Sequence, residues 1–493
     1  MFRRTSIAAL YFFTALRAAD IQPAEIDRVI ETARKAWDVP GIAVAIVHGE
    51  DTVYLKGFGV KRAGSADLVT PDTRFAIGSC TKAFTTTAMA LLVGEGKMGW
   101  DDPVRKHLAY FRLSDPLADA NVTMRDIVCH RTGLSRHDLL WFNSPWSREE
   151  IIRRIGLVPL SRPFRSAYQY QNIMFLTAGE AVGHIAGTTW EDVVSRRLLA
   201  PLGMTNTDLS VRDVIRAKDH ATPHELREEK VEAIDWRNID NIAPAGSIDS
   251  SVRDLTRWIR LHLDEGAFEG KVIVKPQSIH ETHTPQMVIR TDDPTSRSVN
   301  EGTHMMAYGM GWAIQDYRGH HLVSHGGAID GFRAMVALLP DEHYGIAILA
   351  NLGGNNMPEC LRASLVDTLL GLPAKDWNAL YLDQRKNAEE RDRKQKADRE
   401  AKRHTDTRPS LSALEYAGAY EHPAYGSAEV RESGGKLELA WSNWKTQLEH
   451  YHFDTFRATG KGALSDSLVE FRLTPNGEVE SLRLLDQEFR RRK

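Results

Sequence analysis

The sequence predicts an α+β fold: an antiparallel sheet flanked by helices, with a helical subdomain between its strands, followed by a small all-β barrel. Three observations carry this. Strand-like apolar runs stand near both ends of the first 375 residues. The stretch between them has helical spacing, and beyond Pro409 only short alternating strands remain.

The elements follow in order. Residues 1–19 begin with Arg3-Arg4, continue through the apolar Ile7–Leu16 and end in Ala18-Ala19, the layout of a secretory signal peptide. The run is too short to span a bilayer, so the expectation is a periplasmic or secreted protein with no stable membrane span after cleavage. Residues 20–375 form the first domain. Its opening strands are Pro40–Val47 and Thr52–Gly59, joined near His48–Asp51, and helices then run from Ser79 to about Leu263. Strands return at Gly311–Gln315, His321–Ser324, Phe332–Leu339 and Gly345–Leu349. Residues 376–409 contain interleaved charges at helical spacing from Arg385 to His404, which reads as a solvated connecting helix. Residues 410–493 carry seven short strands, from Tyr416–Tyr420 to Val479–Leu485.

A chain of 493 residues has room for two or more domains. Its formal charge of −3 gives no reason to expect nucleic acid or an acidic membrane as partner. Cys80, Cys129 and Cys360 allow one disulfide at most. A homo-oligomer stays open.

Ser-x-x-Lys occurs three times, so spacing alone decides nothing. Ser433 and Lys436 are separated by two glycines, a turn between strands. Ser442 and Lys445 fall in a strand-like stretch, where residues three apart face opposite sides. Ser79 instead opens a helix in which Ala83, Phe84, Thr87, Ala88, Leu91 and Leu92 recur at helical spacing. Lys82 then lies one turn from Ser79 on the same face. A serine hydroxyl needs a neighbouring base, and a lysine serves once burial or nearby positive charge lowers its pKa from about 10.4. The alternative is an N-terminal helix cap and a surface lysine.

Tyr170-Gln171-Asn172 is the only Tyr-x-Asn among thirteen tyrosines. It precedes an apolar helical run, Ile173–Ala186. There a phenol can accept or relay the serine proton, and Asn172 can hold a substrate amide and orient Lys82. The alternative is a satisfied buried tyrosine beside a capping asparagine. His325-Gly326-Gly327-Ala328 follows Leu322-Val323. Its glycines let the backbone approach a ligand and supply a second N–H to an oxyanion hole, beside that of Ser79. His325 is placed to hydrogen-bond Tyr170 or a substrate carboxylate; the alternative is an ordinary polar residue at a strand end.

These residues resemble the penicillin-recognising serine hydrolases, in particular the class C β-lactamase-like peptidases and esterases, whose fold is the β-lactamase/transpeptidase-like sheet and helices. The likeness runs through Thr73–Lys82, Gly96–Val104, His130–Leu134, Pro201–Met204, Pro244–Gly246 and Tyr308–Trp312, and covers roughly residues 25 to 370. It implies Ser79 as acylated nucleophile, Lys82 and Tyr170 as the base pair, and Asn172 as the contact to the substrate amide. His325 takes the place of the lysine in the Lys-Thr-Gly motif of true β-lactamases, which argues against efficient β-lactam hydrolysis. The tail, from Tyr416-Ala417-Gly418-Ala419-Tyr420 onward, resembles the lipocalin-like domain of some related peptidases, where it shapes or caps the cleft.

Rival sites fail. No Gly-x-Ser-x-Gly or Cys-x-x-Cys occurs, and His280-Glu281-Thr282-His283 has the wrong spacing for helical zinc ligands. Neither a metal nor a cofactor is expected. The reading is therefore a serine hydrolase acylated at Ser79, acting as a peptidase on short or unusual peptides, such as D-amino-acid-containing or linearised cyclic ones. Its rivals are an esterase or amidase with weak β-lactamase activity and a poorly catalytic sensing module.

Overall fold

The computed structural model describes residues 22–291, 294–460, 462 and 464–492, so the predicted signal peptide lies outside the described residues. An eight-stranded antiparallel sheet forms the centre of the first domain. Its strands are β1 (Gly41–His48), β2 (Asp51–Gly59), β3 (Met287–Val288), β4 (Met306–Tyr308), β5 (Ala313–Tyr317), β6 (His320–Ile329), β7 (Phe332–Leu339) and β8 (Tyr344–Ala350), in the spatial order β3-β4-β5-β6-β7-β8-β1-β2.

The apolar run of β1 explains its place. Ala43, Ala45 and Val47 join the core on one face, and Ile42, Val44 and Ile46 join the core on the other. A strand buried on both faces needs no alternation of polarity. Helices α1 (Pro23–Ala36) and α5 (Met357–Leu370) cover the second face. On the first lie α2 (Thr81–Gly94), α3 (Asn172–Ala186) and α4 (Val252–Leu263) with the rest of the helical subdomain.

Three strand readings need correction. β6 runs on through Gly326 and Gly327 to Ile329, because the ladder to β7 continues as far as Ile329–Phe332 and backbone pairing needs no side chain. β3 and β4 were missed, being only two and three residues long. Ser442 does not sit on a strand. It is in the turn after Trp441, in the left-handed region at φ 55°.

Helix α6 (Trp377–Ala401) connects the domains. The tail is a closed barrel of β9 (Gly418–His422), β10 (Gly426–Ser433), β11 (Lys436–Trp441), β12 (Trp444–His452), β13 (Thr455–Thr459), β14 (Leu468–Leu473), β15 (Val479–Leu484) and β16 (Gln487–Arg491). Inward residues such as Val430, Leu439, Trp441, Phe471 and Leu482 fill it, as expected of eight strands. Tyr416 belongs to a short helix, Ala413–Tyr416, that starts with a Ser412/Glu415 capping box, so the first strand begins at Gly418. The eighth strand was missed because Phe489 is its one buried residue among charged and polar neighbours. The three cysteines are buried and unpaired. No helix among the described residues is long and apolar enough to cross a membrane.

Candidate active site

Helix α2 is buried on all sides: every residue from Thr81 to Leu92 is buried. Two of its hydroxyls bond at long range: Thr85 donates to Pro244 O at 2.7 Å and Thr86 to Met310 O at 2.9 Å. A 3₁₀ turn, Gly78–Cys80, leads into it and leaves Ser79 partly exposed on the wall of a cavity. Gly78 adopts φ +50°, and a Cβ there would lie 2.7 Å from Ala328 N. A Cβ on Gly327 would come within 1.9 Å of Ile77 O. Both positions therefore require glycine, and the two together let the backbone of β6 press against the turn that bears Ser79.

Lys82 has no exposed surface. Its Nζ lies 2.9 Å from Ser79 Oγ and 2.8 Å from the Ala245 carbonyl. It also stands over the rings of Tyr170 (4.9 Å) and Phe175 (5.3 Å). Burial, helped by the charge of Arg136, holds its pKa well below the ordinary lysine value. That shift favours the neutral amine, whose N–H groups reach Ser79 Oγ and Ala245 O.

Tyr170 sits in the loop before α3, its ring 4.2 Å from that of His130. The Gln171 N–H donates to His130 Nδ1 at 3.0 Å, which fixes the loop and places the imidazole proton on Nε2. Burial raises the pKa of the Tyr170 phenol, with its hydrogen-bonding neighbour Ser79 pulling the other way. The phenol is therefore protonated.

His325 departs from expectation. Its Nδ1–H donates to Gly326 O at 2.7 Å, so its Nε2 accepts from the Tyr308 hydroxyl at 2.9 Å. It does not hydrogen-bond Tyr170, whose ring centre is 6.3 Å away. Burial, reinforced by Lys82, lowers its pKa to about 3, so the ring is neutral and offers no positive charge to a substrate carboxylate. Asn172 also differs. Its Nδ2 donates to Asp138 Oδ1 at 3.0 Å, while Lys82 is held by Ala245 and Ser79. The amide still borders the cavity.

The cavity holds about 280 Å³ and brings together Ser79, Tyr170, Asn172, His325, Gly326, Gly327 and Ala328. Several residues there escaped the sequence reading. Asp138 gathers one wall, accepting from Asn172, from Trp141 Nε1 at 2.8 Å and from Arg136 Nε at 2.6 Å. Arg136 lies over the Tyr170 ring at 5.1 Å. Tyr308 and Ala245 stand inside the motifs named above, which was a usable signal; Arg136, in a loop, and Asp138, at the start of the 3₁₀ turn Asp138–Leu140, gave none. Glu359 borders the cavity from behind Gly326, and burial raises its pKa.

The Beta-lactamase family matches residues 26–370. The chain belongs to the β-lactamase family. A domain family of unknown function, DUF3471, matches residues 402–493. Among curated proteins, this β-lactamase-family chain is similar to the unguisins hydrolase of Aspergillus violaceofuscus, at 29% identity over 92% of this chain and 86% of that protein. It is also similar to protein flp of Staphylococcus aureus, at 25% identity over 68% of this chain and 64% of that protein. Among solved structures, the octameric penicillin-binding protein homologue from Pyrococcus abyssi matches with a TM-score of 0.63 at 21% identity, covering 96% of this chain and 99% of that one. A D-stereospecific amidohydrolase from Streptomyces sp. matches with a TM-score of 0.55 at 21% identity, over 67% and 95%. The protein is a β-lactamase-family hydrolase.

Proposed function

We propose that this hydrolase forms an acyl-enzyme on Ser79 and acts as a peptidase or amidase on short or unusual peptides. The observation that carries the reading is the buried Lys82 amine, 2.9 Å from Ser79 Oγ. Neutral Lys82 takes the Ser79 proton as Oγ attacks the substrate carbonyl. Tyr170, still protonated, passes a proton to the leaving nitrogen and is recharged from Lys82. The backbone N–H groups of Ser79 and Ala328 receive the oxyanion, and water then attacks the ester. Asn172 holds the substrate amide.

The neutral His325 favours peptides and amides over β-lactams, because a carboxylate beside it finds no fixed imidazolium. The similarity to the unguisins hydrolase supports a hydrolase, and the D-stereospecific amidohydrolase shares the fold. A fluorophosphonate probe followed by peptide mapping tests the nucleophile. A label on any serine other than Ser79 overturns the reading. Amide, ester and β-lactam substrates then rank the activities, with kcat/KM expected highest for D-residue amides.

A further inference from the structure

We infer that the substrate is a peptide longer than the cavity beside Ser79 holds, its far part lying in a second cavity walled by the connecting helix α6. The inference rests on Ser79 being the nucleophile. The second cavity holds about 770 Å³ and adjoins the first. Arg136, Trp141, Ala328, Ile329 and Arg333 border both, so the two lie side by side along the end of β6. Pockets of about 300–1,000 Å³ hold a drug-sized ligand, so the smaller cavity takes the residues at the scissile bond and the larger takes several more.

Helix α6 supplies one wall through Arg385, Ala388, Glu389 and Asp392, and Leu226 of the hairpin His224–Ala233 supplies another. By composition α6 reads as a solvated linker, yet it is pinned at both ends. Trp377 and Tyr381 are buried at its start, and Trp377 Nε1 donates to Asp367 at 2.8 Å. At the other end Arg399 pairs with Asp466 of the barrel, and the Tyr451 hydroxyl donates to Arg399 O at 3.0 Å. A helix anchored at both ends makes a fixed wall, which costs a ligand no ordering. The lining also selects its occupant. Arg385 and Glu389 pair at 2.8 Å, Asp392 and Arg333 add both signs, and Phe142 and Leu226 add apolar surface. Such a mixture suits a peptide with polar backbone and varied side chains, and it disfavours a hydrocarbon chain. Among the described residues, none from the barrel lines either cavity. Discrimination by length therefore resides in this second cavity and not in the barrel.

The test uses the full-length protein and fluorogenic peptides that share one scissile bond and differ only in length. kcat/KM should rise by about tenfold or more from the shortest to the longest, the scale of one modest set of contacts. Ala388→Trp fills the cavity from α6 and should cancel that gain, acting through KM. The same variant should leave the shortest peptide and the probe labelling rate of Ser79 unchanged. Leu226→Trp fills the cavity from the hairpin without altering the helix, and the same result is expected. A wild-type kcat/KM that is independent of length overturns the inference. So do two tryptophan variants that treat long and short peptides alike. Wild-type protein that hydrolyses the shortest peptide without label at Ser79 removes the nucleophile assignment first, and this inference with it.

Discussion

Ser433 and Lys436 are cross-strand partners beside the turn that joins β10 and β11, both open to solvent. Ser442 sits in the next turn, with its hydroxyl on Asn143 O and Lys445 exposed. Ser79 and Lys82 have the same spacing but sit at the head of a helix with no solvent-facing side, where the lysine meets only a hydroxyl, a carbonyl and aromatic rings. The barrel and the helical seam thus carry one motif in two settings. What makes a lysine a base is the missing water and the missing carboxylate, and neither is written in Ser-x-x-Lys.

The largest expected effect breaks the comparison outright. Ser79→Ala should lower turnover by about four to six orders of magnitude, the scale seen when a nucleophile is removed. Ser433→Ala and Ser442→Ala should leave turnover unchanged. Steady-state kinetics on the three purified variants decides it, and loss of activity in either barrel variant would contradict the distinction. Next in size, Lys82→Ala and Tyr170→Phe should each slow acylation by about two to four orders of magnitude, measured by stopped-flow burst kinetics. The double variant should be much less impaired than the product of the two, because both serve one proton path. Full additivity would separate their roles.

Local pattern made much of this legible. The unbroken apolar run of β1, the helical spacing after Ser79 and the order of the three short motifs are properties of neighbouring residues, and they carried the fold class and the residues around the cavity. What the sequence hid depends on distant partners. The pairing of His325 with Tyr308 joins two strands of the sheet, and the hold of Asp138 on Asn172 joins a loop to a helix. Helix α6 is the solvated connecting helix its charges predict, but its anchors at Trp377 and Arg399 reach partners that the local pattern does not show. The barrel's last strand shows one inward residue, too little for a period to appear.

Stability against pH sharpens the comparison more gently. Lys82 titrates below its unfolded value of about 10.4, so between the two values the unfolded chain holds the extra proton and stability rises with pH. Lys82→Met should therefore raise Tm at pH 7 and gain little near pH 10. His325 works in the same sense at lower pH. With a folded value of about 3 against about 6.5 unfolded, it costs up to about 1.4 kcal/mol per pH unit as pH falls through that window. His325→Gln should flatten the acid side of the stability curve, read by thermal melts from pH 4 to 7. An unchanged slope would mean that the ring is charged in the folded protein.

The smallest expected effect concerns what the barrel does for the seam. The Tyr425 hydroxyl meets His137 Nδ1 at 2.7 Å, Arg154 donates to Ala424 O at 3.0 Å, and Ser442 donates to Asn143 O. The bonds at His137 and Asn143 fasten the barrel to the segment that carries Arg136 and Asp138, and that of Arg154 fastens it to the helix Arg148–Ile155, so the barrel braces a wall of the cavity without lining it. Tyr425→Phe removes one bond and leaves His137 without that partner, a loss of about 1 kcal/mol. Tm should fall slightly and KM should rise by no more than about threefold, since the remaining bonds hold the loop. kcat for a short substrate should be unchanged. A tenfold loss of kcat in Tyr425→Phe would give the barrel a part in the chemistry and erase the contrast between the two regions.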